Sequence, residues 1–154
     1  MWFKNIVSFL IILLFAYTGT SKLLEHDKFV YQMKISPVAV INHAAPVLGY
    51  LVPATEIVLV IYLCSGIIFT KYLRTALISS VILILIFEIY IVAMLLSGLD
   101  LPCSCGGVIA QLSWKQHVIF NGLFIIAGLA AILYDDFTLR LKGKRISSLK
   151  SSRA

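Results

Sequence analysis

Two cysteines separated by a single residue, Cys103-Ser104-Cys105, carry the spacing in this chain that points to redox chemistry. A dithiol and a disulfide interconvert when a thiolate attacks a sulfur, and a mixed disulfide forms on the way. A bridge across one intervening residue closes a very small ring. Ordinary bridges want Cα atoms about 5.5–6 Å apart, so this one needs a tightly bent backbone. A strained disulfide is the better oxidant. The neighbours suit such a bend, because Pro102 fixes one φ and the Gly106-Gly107 pair tolerates positive φ. Cys103 and Cys105 are therefore the candidate catalytic residues of a thiol–disulfide oxidoreductase. Other roles stand beside this one: a structural clip, two free thiols, or half of a metal site with His117, His43 or His26. Zinc takes four ligands and favours C-x₂₋₄-C spacing, so no metal is expected. Cys64, alone in an apolar stretch, is read as packing.

Two acids accompany the pair. Glu56 and Glu88 each stand alone as the single charge of a long apolar block. Carboxylates in such blocks are costly and face the protein interior. Oxidising thiols releases protons, so Glu56, Glu88 and the downstream His117 are candidates for supporting or proton-handling roles. A quinone is a candidate electron acceptor. The competing role for the acids is a hydrogen bond that only holds helices together.

The elements that must position these residues follow from composition. Of 154 residues, 60% are hydrophobic and 13% charged, against roughly 25% charged in soluble domains. The apolar residues form four blocks, 5–21, 44–70, 75–99 and 118–134, and none holds more than one charge. A spanning helix needs about 20 mainly apolar residues. The expected fold is an all-α membrane protein, a four-transmembrane-helix bundle with helices near 3–23, 51–70, 73–97 and 113–134. A cleaved signal peptide is the rival for the first block, but its apolar run is long and no A-x-A site follows. The stretch 25–37 is expected outside the membrane, and 38–50 as an interfacial or re-entrant lead into the second span. Ser113-Trp114-Lys115-Gln116 fits a capping box that opens the last helix. Counted at about 1.5 Å per residue, Glu56 and Glu88 lie at one depth, roughly 20 Å above the turn that joins their helices.

Basic residues orient the bundle. The net charge is +6. Arg140, Lys142, Lys144, Arg145, Lys150 and Arg153 follow the last block, and Lys71 and Arg74 sit in the turn between the second and third. The positive-inside rule puts these segments, and both termini, in the cytoplasm. The cysteine segment then faces the opposite, oxidising side. The basic tail suits anionic lipid rather than nucleic acid.

The pattern resembles the MauE family of methylamine-utilisation membrane proteins, related to the broader DoxX-like group. The resemblance rests on Pro102-Cys103-Ser104-Cys105-Gly106-Gly107 before the last span and Ser113-Trp114-Lys115-Gln116-His117 at its start. Residues 17–29 and Pro53-x-x-Glu56 add to it. It covers residues 1–140 as a transmembrane domain and leaves 141–154 as a basic cytoplasmic tail. It implies a multi-pass protein of the bacterial inner membrane that supports disulfide formation or redox maturation of an exported partner. In that family the partner is the disulfide-rich small subunit of methylamine dehydrogenase. Here a thioredoxin-like or cysteine-rich exported protein is the expected partner, beside the lipid bilayer. Two further functions are carried forward: a non-catalytic assembly subunit, and a DoxX-like quinol-linked oxidoreductase subunit.

Overall fold

A chain this apolar must bond its backbone polar groups internally and still present large side chains to hydrocarbon. Helices satisfy the first demand within each segment. The computed structural model describes residues 2–97 and 113–151, with side chains at 2–97, 113 and 115–134. Five helices account for nearly all of them: α1 (Trp2–Leu24), α2 (His26–Lys34), α3 (Ala39–Ile68), α4 (Thr70–Leu96) and α5 (Trp114–Ser151). Four segments are long and apolar enough to cross a bilayer: Trp2–Leu24, Ala39–Ile68, Thr70–Leu96 and Lys115–Tyr134. The protein is a multi-pass, all-α membrane protein, as its composition requires.

The helices form a ring. α1 packs on α3, α3 on α4, α4 on α5 and α5 back on α1, while α2 lies against α3. The ring closes over one core of Val7, Ile11 and Phe15 from α1, Leu59 and Leu63 from α3, Leu73, Leu77 and Ile84 from α4, and Ala131 from α5. Spacings of three or four residues put each set on one helix face. The outward faces are also apolar: Phe9, Leu13, Val58, Ile61, Ile89 and Ile126 are exposed, which suits lipid and not water. Cys64, read from the sequence as packing, is exposed on that outward side.

Two elements go beyond what the sequence disclosed, and both have a local cause. First, α3 begins at Ala39 and runs unbroken through Pro46 and Pro53. The polar residues that suggested a break are satisfied locally. The Asn42 amide donates to the Lys34 carbonyl, and the His43 ring pairs with the Ala39 carbonyl at 2.8 Å. With 30 residues, α3 is about 45 Å long. Second, within the stretch 25–37, which was expected only to lie outside the membrane, residues 26–34 form α2. A Cβ on Gly49 would run into Val30 and come within 3.0 Å of His26 Cε1, so glycine lets α2 dock on α3. The His26 ring stacks on Tyr50 with centroids 4.1 Å apart.

The last helix opens as expected. The Ser113 N–H donates to Gln116 Oε1 at 2.9 Å, and the Gln116 N–H donates back to Ser113 Oγ at 3.4 Å. Ser113→Ala is expected to cost about 1 kcal/mol, read as a lower thermal midpoint in detergent. An unchanged midpoint would show that the cap adds nothing here. The helix continues past Tyr134 to Ser151, so the basic segment prolongs it.

Candidate functional site

Lys22 lies near the end of α1, where a lysine ordinarily reaches out toward water. It turns inward instead. Its ammonium pairs with Glu56 Oε1 on α3, and the two side chains are 6% and 1% exposed. Gly19 makes the approach possible, because a Cβ there would stand 3.3 Å from both Glu56 Cβ and Glu56 Oε2. Thr18 lies beside the same carboxylate, and its hydroxyl donates to the Leu14 carbonyl at 3.0 Å. The ammonium also sits 4.8 Å from the Phe87 ring centroid of α4 and 5.7 Å from that of Phe29 on α2. Aromatic faces attract cations, more so where water is excluded. One lysine thus ties α1 to α2, α3 and α4.

Glu88, next to Phe87, faces α5 instead. His117 and Asn121, one helical turn apart, share one face of α5 and are 3% and 7% exposed. The Asn121 amide hydrogen-bonds to the Glu88 carboxylate, and His117 lies close enough to interact with its charge. Glu88 Oε2 is buried and has no hydrogen-bond partner among the described residues. Glu88 and Asn121 lie about 10–12 Å below the ends of their helices, at 1.5 Å per residue.

The sequence places Glu56 and Glu88 at one depth, and the structure gives each its own partners: an ammonium for the first, an amide and an imidazole for the second. Asn121 was missed from sequence. Its signal was the four-residue spacing from His117 in a block otherwise free of charge. Cys103 and Cys105 lie outside the described residues, in the segment that joins Ser97 to Ser113. Both anchor points belong to the end of the bundle that carries Lys22, Glu56, Glu88 and His117. Ser36, just before α3, reaches the same end of α4, with its hydroxyl 3.6 Å from Met94 Sδ.

A family described as Methylamine utilisation protein MauE matches residues 1–134. The chain belongs to the MauE family. No curated protein and no solved structure matches it. The MauE match closes at Tyr134, which is also the last residue of the fourth apolar span. It therefore takes in every span, both polar clusters and the cysteine segment.

Proposed function

We propose that this MauE-family protein exchanges electrons between its Cys103/Cys105 pair and an exported thiol protein, and so supports that protein's disulfide formation or redox maturation. The carrying observation is the convergence of buried and half-buried ionisable groups from all four spans at the one bundle end where the C-x-C segment is anchored. The charge pattern supports an orientation with that end on the periplasmic face of the inner membrane. The family description supports a place in methylamine utilisation, and we take a cysteine-rich subunit of an amine-oxidising enzyme as the partner class.

In the exchange, a thiolate of the partner attacks the Cys103–Cys105 disulfide and forms a mixed disulfide. The partner's second thiolate resolves it, leaving an oxidised partner and a reduced pair. Two electrons thus pass to this chain, and the protons follow the thiolates. Glu56 supports the site through its ion pair, while Glu88 and His117 hold protons. A lipid-soluble quinone is the proposed final acceptor, and it would take up two electrons and two protons when bound. Glu88 Oε2, an acceptor without a partner among the described residues, would be the group to receive the hydroxyl of its reduced form.

Two measurements test the reading. A membrane-impermeant maleimide should label Cys103 and Cys105 in intact cells only after reduction. Cys103→Ser or Cys105→Ser should trap a covalent mixed disulfide with an exported protein. Labelling only in lysed cells, or no trapped species from either variant, would overturn it. The buried acids favour a second reading, a quinol-linked oxidoreductase subunit. In that case Glu56→Gln and Glu88→Gln abolish function and the cysteine variants do not. A purely structural assembly subunit would tolerate loss of both cysteines.

A further inference from the structure

The end of the bundle opposite the polar clusters is built differently. Phe69 alone joins α3 to α4, and the turn is tight, since a Cβ on Gly66 would stand 2.8 Å from Leu73 Cα. Ile68, Phe69 and Tyr72 around it are exposed. Lys71 and Arg74 follow in the first turns of α4, and both are exposed. The Lys71 ammonium lies over the Tyr72 ring, 5.8 Å from its centroid. Residues 57–87 contain no acid, so Lys71 and Arg74 are the charges of that whole stretch. Basic groups elsewhere are disposed otherwise. Lys4 and Lys22 of α1 are buried, and Lys28 of α2 pairs with Glu25 at 3.5 Å. Among the described residues, α4 is the span whose outward face ends in two exposed cations.

That face continues along the helix as an apolar track. Lys71, Arg74, Ile78, Ile82, Leu85 and Ile89 follow one another at three or four residues, which places them on one side of α4. Ile82, Leu85 and Ile89 are exposed, and Ile78 is half-buried. Leu85 comes eleven residues after Arg74, about 16 Å along the axis. Half of a hydrocarbon core about 30 Å thick has nearly the same depth. A cationic head joined to an apolar track one leaflet deep matches a molecule with an anionic head and a long chain. A zwitterionic lipid would leave the two charges uncompensated, and a small soluble anion would leave the track unused.

We propose that Lys71, Arg74 and the adjoining outward face of α4 form a site for an anionic phospholipid of the leaflet at this end. The two cations hold its phosphate, Arg74 through a planar fork and Lys71 as a point charge. Tyr72 lies at headgroup level, where its ring is favoured. One acyl chain runs along Ile82, Leu85 and Ile89. The bound lipid fixes the depth of the α3–α4 hairpin, and the site is independent of the thiol-exchange reading.

The test measures lipid retention by the full-length protein in detergent, by native mass spectrometry. Phosphatidylglycerol is the probe, with phosphatidylcholine of the same chains beside it. One cation near an anionic headgroup is worth about fivefold in affinity. Lys71→Gln should therefore weaken phosphatidylglycerol binding about fivefold. The Lys71→Gln, Arg74→Gln double variant should weaken it about 25-fold, to the level of phosphatidylcholine. Lys71→Arg should keep the affinity, and added salt should lower it. A phosphatidylglycerol with a photoreactive group midway along one chain should label α4 between Ile82 and Ile89. Equal retention of the two lipids, labelling confined to other helices, or undiminished binding by the double variant would overturn the site. Displacement of the lipid by glycerol phosphate at equal concentration would assign the basic pair to a soluble anion and overturn it too. The lipid comparison and the labelling use the unsubstituted protein, so they decide the matter even where a variant does not fold.

Discussion

Lys22→Ala is expected to lose about 3–5 kcal/mol of stability, the range for removing one partner of a buried ion pair. Glu56 is 1% exposed and would be left with its charge in a low-dielectric interior. Its second oxygen already lacks a hydrogen-bond partner among the described residues. The lysine also makes both ring contacts, so the loss reaches α2 and α4 as well. The pair itself is a weaker contributor than its breaking suggests. Replacing both members with apolar residues of similar volume is often neutral or stabilising. A Lys22→Met, Glu56→Leu double variant should therefore recover most of what Lys22→Ala loses. Unfolding titrations in mixed detergent micelles measure both. A single variant as stable as the unsubstituted protein would show that the buried pair does not form.

Gly66→Ala is the second large effect, expected to cost about 1–3 kcal/mol by overpacking. A Cβ at Gly66 would stand 2.8 Å from Leu73 Cα and 3.0 Å from Leu73 N. These are backbone atoms and cannot rotate away. The hairpin cannot open to make room either, because Phe69 is the single residue between α3 and α4. Gly122→Ala is the contrast, since a Cβ there meets nothing within 4 Å. An alanine at Gly122 should stabilise α5 by up to about 1 kcal/mol through helix propensity alone. Opposite signs at two helical glycines, read from thermal midpoints, would establish that close approach and not glycine content governs the bundle. Equal signs would refute it.

Much of this architecture was legible in the sequence because hydropathy reports directly on what must face lipid. The four charge-poor blocks gave the spans, and the Ser113/Gln116 pair marked the start of α5 to the residue. The misreadings all concern groups whose cost is met by a neighbour. Asn42 and His43 look like breakers until their side chains are seen bonded to carbonyls nearby. The docking of α2 was not disclosed until Gly49 was seen to receive Val30 and His26. The pairing of Lys22 was beyond reach because nothing in a linear block discloses that Gly19, three residues earlier, clears the path to Glu56 on another helix. Acids were legible as site residues by their isolation. Asn121, uncharged, was not. The choice of partner for each acid was beyond reach, since depth follows from counting along a helix but facing direction does not.

The length of α3 bears on where such a protein can reside. A rod of about 45 Å in a hydrocarbon layer of about 30 Å must either lean or stand proud of the surface. Leaning would carry α2, docked along its first turns, into the headgroup region. Standing proud would hold α2 clear of the lipid like a small pier. Membrane thickness therefore sets how far α2 is raised toward any visitor from the aqueous phase.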